Sequence, residues 1–102
     1  MRLISETNNY EIMVIISSQY AEHEIKNIAF NYAQQLQKLG AIAITVISRG
    51  RHDLFYKRKK NKTGYFVEIS FNSVPQILPI YRAKLEIDKN VIHSSAFNLL
   101  LK

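Results

Sequence analysis

The sequence has no cysteine and no tryptophan, and only three glycines and two prolines among its 102 residues. The absence of cysteine excludes a disulfide framework, a thiolate metal site and a cysteine nucleophile. The longest apolar runs, 12–16 and 41–46, are far shorter than the roughly 20 residues that span a bilayer. The first twenty residues resemble neither a signal peptide nor a transit peptide. We therefore expect one folded domain, residues 1–102 with its core over about 9–98, that is made where it works and has no membrane partner.

Side chains used in catalysis are present, but they are not arranged as in known catalytic motifs. The three histidines, His23, His52 and His93, lack the short spacing of metal ligands. There is no glycine-rich phosphate loop and no glycine-flanked serine. Residues 17–20, Ser-Ser-Gln-Tyr, supply neither the glycine nor the arginine of an acylphosphatase-type phosphate loop. We expect no catalytic residues, no metal, no cofactor, no small-molecule substrate and no enzymatic activity.

Positive charge is concentrated in one short segment. The chain has 14 basic and 8 acidic side chains, a net charge of +6, and residues 49–62 alone carry a net +6. Such a block attracts polyanions, nucleic acid first, although it is also compatible with a solvated basic loop that aids solubility. Aromatic residues beside it can stack on unpaired bases. The predicted RNA-binding residues are Arg49, Arg51, Tyr56, Lys57, Arg58, Lys59, Lys60 and Lys62.

Hydrophobic periodicity predicts the first helix and four strands. Apolar residues recur at steps of three and four from Ile25 to Leu39, which predicts an amphipathic helix with Gly40 as its left-handed C-cap. Ser17 and Ser18 offer hydroxyls suited to capping the start of this helix. Strands are predicted at 10–17, at 41–48 with an extension toward 51, from 65 to 71 and at 91–97, and the basic block interrupts the alternation between the second and third strands.

The second helix completes the predicted fold. It is expected after Pro75, with a kink or a late start because Pro79 has no backbone N–H. The order strand, helix, strand, strand, helix, strand predicts the α+β, ferredoxin-like βαββαβ fold, a four-stranded antiparallel sheet with two helices on one face. Strand alternation then directs the following residues toward the helices: Ile12, Val14, Ile16, Ile42, Ile44, Val46, Val67, Ile69 and Phe71.

The other face of the predicted sheet has no helix to cover it. Its side chains are a mixture of apolar and polar types, and an exposed mixed patch of this kind suits a protein or RNA partner. We call this surface the open face. The residues predicted to form a protein-partner surface on it are Met13, Ile15, Ile47, Phe66 and Glu68.

An ordered set of short motifs resembles a known family. In chain order the set comprises Tyr10-Glu11, Gly40, Gly50-Arg51, Leu54-Phe55-Tyr56 with a lysine run, Gly64-Tyr65-Phe66, Phe71, Pro75 and the segment 85–91. Over residues 9–98 this set resembles the bacterial-type small-subunit ribosomal protein six family. The resemblance implies the same ferredoxin-like fold and a structural, non-enzymatic role. It also implies binding to the central domain of small-subunit rRNA, together with small-subunit ribosomal protein eighteen as a heterodimer.

The chain departs from the family pattern at two charged positions. Asp53 replaces a residue that is usually basic, and His93 stands where arginine is common. A non-ribosomal ferredoxin-like regulatory or RNA-binding module is the alternative function. Isoleucine, asparagine and lysine together make up 31 of the 102 residues, a bias typical of AT-rich coding DNA. We therefore expect a plastid-encoded protein of an alga, located on the ribosome in the plastid (chloroplast) stroma, with an AT-rich bacterium and its cytoplasm as the alternative.

Overall fold

The computed structural model describes residues 7–58 and 61–98, without the side chains of residues 55–58, 61, 97 and 98. The sheet has the strand order β2-β3-β1-β4, and each neighbouring pair of strands is antiparallel. This confirms the predicted ferredoxin-like βαββαβ fold. The elements are β1 (Asn8–Ser17), α1 (Glu22–Leu39), β2 (Ile42–Arg58), β3 (Asn61–Ser73), α2 (Ile77–Ile87) and β4 (Val91–Asn98).

The core lies between the two central strands and the two helices. Alternate residues of β1 and β3 point into it, and each of them is at most 2% exposed: Ile12, Val14, Ile16, Val67, Ile69 and Phe71. The helices contribute Leu36 and Tyr81, which have no exposed surface. Burial of a large apolar side chain is worth about 1.5–3 kcal/mol. This alternation confirms the predicted direction of the side chains in β1 and β3.

The ends of α1 show one prediction to be right and another to be wrong. Gly40 has φ +106°, and its N–H donates to the carbonyl of Gln37 at 3.0 Å, so it is the predicted left-handed C-cap. The start of the helix is not capped by Ser17 or Ser18. Ala21 holds the N-cap position instead, and its N–H donates to Glu24 Oε1 at 2.7 Å. The serines come too early because β1 continues through Ser17 before the chain turns.

The second helix begins at Ile77, two residues after Pro75. Pro79 therefore lies in the first turn, where the backbone N–H groups have no intrahelical partner, and the missing N–H of proline does no harm. This is the late start that the sequence predicted. Neither helix in the described part of the chain has the length and apolar character needed to cross a bilayer.

The edge strand β2 differs most from the prediction. Its register against β3 shifts between Ile42 and Thr45, where Ala43 adopts φ +54°. Ile42 lies opposite Asn72 and is 63% exposed, so it is not packed into the core as the alternation predicted, because the bulge changes the direction of its side chain. Ile44 packs against the core as predicted. Val46 lies opposite the core residue Ile69 and so faces the helices as predicted, but it is 38% exposed because an edge strand has a neighbour on one side only.

The basic block does not interrupt the strands. β2 continues to Arg58 and β3 begins at Asn61, so residues 49–58 and 61–62 belong to the strands of a β-hairpin instead of a loop between two shorter strands. The sequence did not reveal this because charged residues break the apolar alternation. In a two-stranded ribbon both faces are solvated, and backbone pairing alone maintains the strands.

Candidate nucleic-acid interface

The basic hairpin, which we define by its described residues 49–58 of β2 and 61–62 of β3, extends from one end of the sheet. β1 ends at Ser17, which lies opposite Gly64 of β3. Beyond that point β2 and β3 pair only with each other: Asp53 lies opposite Thr63 and Arg58 opposite Asn61, and the register shifts between these two pairs. The outer part of the hairpin is therefore two strands wide and is uncovered by the described helices. A projecting, positively charged ribbon of this form can lie along a nucleic-acid backbone.

A bulge at the base of the hairpin sends its two arginines to opposite sides. Ser48 lies opposite Val67, and Gly50 lies opposite Phe66, so Arg49 is the extra residue on β2. Gly50 has φ +85°, a backbone conformation that glycine adopts without the steric cost of a Cβ. Arg49 contacts a residue of the open face, whereas Arg51, opposite Tyr65, lies on the helix side.

Arg51 is exposed and is held by aromatic and backbone contacts. Its guanidinium carbon lies 5.3 Å from the centroid of the Tyr65 ring, a cation–π distance. Its Nη2 donates to the carbonyl of Ser18 at 3.5 Å. The hydroxyls of Ser18 and Thr63 are hydrogen-bonded at 2.7 Å, which ties the hairpin to the end of β1. The first two contacts orient the guanidinium of Arg51, and because the residue is exposed its remaining N–H groups are accessible to a phosphate.

Arg49 is engaged by an acidic residue. Its Nη2 donates to Glu68 Oε1 at 3.0 Å, and this hydrogen bond holds the pKa of the Glu68 carboxyl below its ordinary value. Glu11 lies close to the same pair. Burial, and then the negative charge of Glu68, raise the pKa of the Glu11 carboxyl. Arg49 was predicted to bind RNA, but in the free chain its charge is already paired on the open face.

The remaining predicted RNA-binding residues follow the hairpin outward. Lys62 is exposed on β3. The backbone of Tyr56, Lys57 and Arg58 lies in β2, and the structure gives nothing on their side chains. Lys59 and Lys60 lie outside the described residues. The structure thus brings the described members of the set onto one hairpin, and their contact with RNA stays a prediction.

The five predicted protein-partner residues share the open face. Across the three neighbouring strands, Ile47 and Met13 both lie opposite Glu68, and Ile15 lies opposite Phe66. Their exposure differs, because Ile47 is 40% exposed and Ile15 only 7%. Ile15 points in the predicted direction but offers little surface to a partner.

Neighbouring residues on the open face cover Ile15. A Cβ built on Gly64 would lie 2.4 Å from Ile15 Cγ2 and 3.6 Å from Ile92 Cδ1. Ile92 is 7% exposed, and it is the extra residue in a bulge of β4 against β1. Glycine at position 64 therefore lets the two isoleucines form a small apolar cluster on the side of the sheet away from the helices.

The sequence reading missed two contacts of the hairpin base. One is the pairing of Arg49 with Glu68, and the other is the position of His52, whose ring makes an edge-to-face contact with Phe66 at 5.4 Å between centroids. His52 Nε2–H also donates to the carbonyl of Arg49 at 2.8 Å. Gly50 was the feature of the sequence that could have indicated these contacts, because a glycine inside a strand pattern often marks a bulge that changes which residues share a face.

No cluster of three His, Asp or Glu side chains suited to a metal ion occurs in the described part of the chain.

Comparison with known proteins identifies the family. The family model described as "Ribosomal protein S6" matches residues 9–98. The chain belongs to the ribosomal protein S6 family. It is 39% identical over 95 residues to small ribosomal subunit protein bS6c of Trieres chinensis, an alignment that covers 93% of this chain and 99% of the relative. Members of this family are structural ribosomal proteins of the small subunit, which confirms the expected absence of enzymatic function.

Further relatives span plastid and bacterial sources. Small ribosomal subunit protein bS6c of Phaeodactylum tricornutum is 35% identical, covering 87% of this chain and 91% of the relative. Protein bS6 of Trichormus variabilis is 26% identical, covering 81% and 77%. The crystal structure of 30S ribosomal protein S6 from Thermotoga maritima aligns with a TM-score of 0.77 at 21% identity, over 91% of this chain and 88% of that one. This last similarity establishes the ribosomal protein S6 fold.

Proposed function

We propose that this ribosomal protein S6 family member is a structural constituent of the small ribosomal subunit that binds the central domain of small-subunit rRNA through its basic hairpin. The observation that carries the proposal is that the entire net charge of +6 lies in residues 49–62, and that the described residues of this segment, 49–58 and 61–62, form a ribbon projecting past the end of β1. Arginine and lysine on such a ribbon neutralise phosphates without reading base sequence. The chain acts as a scaffold.

The open face is the second surface in this proposal, and its occupant is small-subunit ribosomal protein eighteen. Apolar surface is available there from Met13, Ile47 and Phe66, and the charged group of Arg49, Glu68 and Glu11 lies beside it. A partly apolar surface with a few charged groups is typical of a protein interface. Apart from Arg49, which lies at the boundary of the two surfaces, binding of RNA at the hairpin and of protein at the sheet uses different residues, so both partners can be held at once.

The proposed location is the plastid ribosome. The two bS6c relatives are 39% and 35% identical to this chain, whereas the bS6 protein of Trichormus variabilis is 26% identical. The bias toward isoleucine, asparagine and lysine agrees with this origin. The location is tested by sedimentation: a tagged chain should co-sediment with the small subunit of plastid ribosomes in a sucrose gradient. Recovery only in the soluble fractions would contradict the proposal.

Charge reversal at the hairpin tests the RNA contact. The triple variant Lys57→Glu, Arg58→Glu, Lys59→Glu should lose most binding to a transcript of the rRNA central domain. If four to six phosphates are neutralised, log affinity should fall with log salt at a slope of roughly −3 to −5.

The matched control reverses three lysines that lie on the helices and are exposed: Lys26, Lys38 and Lys84. It changes the net charge by the same amount, so equal losses in the two triple variants would mean that only overall charge matters. A flat salt response of the unmodified chain would overturn the RNA-binding proposal.

A further inference from the structure

A cavity of about 260 Å³ lies between α2 and the edge strand β4, apart from the contacts described above. Its walls carry a guanidinium, a hydroxyl and a carboxylate. The lining residues are Arg82, Glu86, Val91, Ile92, His93 and Ser94. A small concave site with convergent polar groups is a candidate ligand site, and the groups present decide which ligand it takes.

Arg82 has an unused hydrogen-bond donor in this cavity. Its Nε is buried and has no hydrogen-bond partner among the described residues. Glu86 lies one turn further along α2, yet the single ion pair found among the described side chains joins Arg49 to Glu68. A buried, charged donor without an acceptor is costly, and an incoming anion removes that cost.

Ser94 flanks the cavity from β4. Ser94 lies opposite Val14, a core residue, so its side chain is on the helix side of the sheet, the side on which α2 packs. His93, the next residue back along the strand, lies opposite Ile15, so its side chain is on the open face and away from α2. A guanidinium fork with a hydroxyl beside it matches the oxygens of a phosphate, because both groups can donate to it.

The cavity opens at the same end of the sheet as the basic hairpin. Val91 lies opposite Ile16, and the next residue of β1, Ser17, lies opposite Gly64 at the hairpin base. The cavity and the hairpin base are thus at one end of the sheet, separated by the width of β1. An RNA backbone bound along the hairpin can therefore continue across the end of the sheet to Arg82.

From this geometry we infer that Arg82, with Ser94, forms a second phosphate subsite for the RNA that the hairpin binds. The inference rests on the proposed RNA-binding function and adds a contact outside the basic block. Glu86 sets the selectivity of the site. Its carboxylate repels an anion of higher charge, such as free inorganic phosphate. A phosphodiester carries a single negative charge and is held in place by the rest of the RNA, so it is repelled less.

The test compares Arg82→Gln with Lys84→Gln in the full-length chain. Both remove one positive charge from α2, but Lys84 is exposed and lies outside the cavity. Binding to a transcript of the rRNA central domain, with the partner protein present, is measured between 50 and 200 mM KCl. Arg82→Gln should weaken binding roughly five- to tenfold and reduce the salt slope by about 0.9, as expected for one lost phosphate contact. Lys84→Gln should change affinity less than about twofold.

Further variants distinguish a failure of the proposed subsite from a failure of the proposed RNA binding by the hairpin. Arg82→Lys keeps the charge and should recover part of the affinity, and circular dichroism confirms that each variant is folded. If Arg82→Gln behaves as Lys84→Gln while Arg51→Gln weakens binding, the subsite is wrong and the hairpin proposal stands. If none of the variants changes binding or its salt slope, both proposals fail. In a separate titration, inorganic phosphate is added to the unmodified chain and the NMR signal of the Arg82 Nε–H is followed; this signal should not shift. If it does shift, and if Arg82→Gln also binds RNA with full affinity, the cavity binds small anions instead and the inference is overturned.

Discussion

The guanidinium of Arg49 and the carboxylate of Glu68 form an ion pair at 3.0 Å between neighbouring strands, on the face of the sheet away from the helices. Arg49 occupies a bulge position, so its side chain reaches this face instead of joining the outward run of basic residues. The pair connects two surfaces of the protein, because Arg49 begins the basic hairpin and Glu68 belongs to the open face. Loss of the pair should therefore affect partner docking as well as the charge of the hairpin.

Glu11→Gln should stabilise the folded chain at neutral pH. Burial and the charge of Glu68 raise the pKa of Glu11 in the folded state, so stability falls as pH rises from the ordinary carboxyl pKa through the raised one. Above that window the full penalty is present, and below it the penalty is absent. Glutamine at position 11 removes the repulsion between two like charges, which should raise the free energy of unfolding by roughly 0.2–1 kcal/mol. Urea unfolding should show a gain at pH 7 and none at pH 3.

Glu86→Gln is the matched control for this prediction, because it removes an exposed carboxylate from a helix. It should leave the free energy of unfolding within about 0.5 kcal/mol of the unmodified chain at both pH values. A gain for Glu11→Gln that is equally large at pH 3 would show that ionisation of Glu11 is not its cause.

Gly64→Ala should destabilise the fold through a steric clash. The new Cβ would lie 2.4 Å from Ile15 Cγ2, closer than side chains approach one another. Overpacking of this kind costs typically about 1–3 kcal/mol. A double-mutant cycle with Ile15→Ala measures it, because removal of Cγ2 should cancel most of the cost of the alanine.

Gly50→Ala is the comparison for that cycle. A Cβ at this position meets no atom within 4 Å, but φ of +85° strains any L-residue by roughly 1–2 kcal/mol. This cost should be independent of Ile15. We assign a steric clash with Ile15 to Gly64→Ala and backbone strain to Gly50→Ala. Coupling between Gly50→Ala and Ile15→Ala, or the absence of coupling between Gly64→Ala and Ile15→Ala, would contradict this assignment.

Ile15→Asp and Met13→Asp should separate folding from docking. Both residues lie on the open face, where the sequence predicts a protein-partner surface. Because Ile15 is 7% exposed, we expect Ile15→Asp to lower the free energy of unfolding by about 3 kcal/mol or more, as for a buried unpaired charge. Met13 is only half-buried, so Met13→Asp should remain folded and bind the partner protein at least tenfold more weakly. Thermal melts and titration calorimetry measure the two effects, and equal stability losses would argue against this division.

Tyr81→Phe should cost about 1 kcal/mol of folding free energy. The Tyr81 hydroxyl is fully buried and donates to the carbonyl of Tyr32 at 2.9 Å, which joins α2 to α1. Burial also raises the pKa of the Tyr81 hydroxyl, so it stays protonated in the alkaline range. The loss corresponds to one buried hydrogen bond and should be constant between pH 6 and 9. Chemical unfolding at several pH values checks this, and an unchanged stability would mean that the bond makes no net contribution.

Much of the fold could be predicted because local signals agreed with one another. The apolar stripe from Ile25 to Leu39 and the glycine that follows it define a helix and its end, and the alternation in β1 and β3 defines a buried face. The true extent of the hairpin could not be predicted in this way. Its residues are charged, both of its faces are solvated, and its strands are maintained by backbone bonds that leave no apolar period in the sequence.

The sequence by itself determined the βαββαβ order, the location of the net charge in fourteen residues and the family of the protein. These follow from periodicity, composition and the order of motifs, all of which can be read along the chain. Only the tertiary structure decided that Arg49 pairs with Glu68 and that Ile15 is covered while Met13 is not. It also decided that Arg82 lines a cavity at the end of the sheet from which the hairpin extends. Those facts depend on register and bulges, because a shift of one residue changes the face on which every later side chain lies.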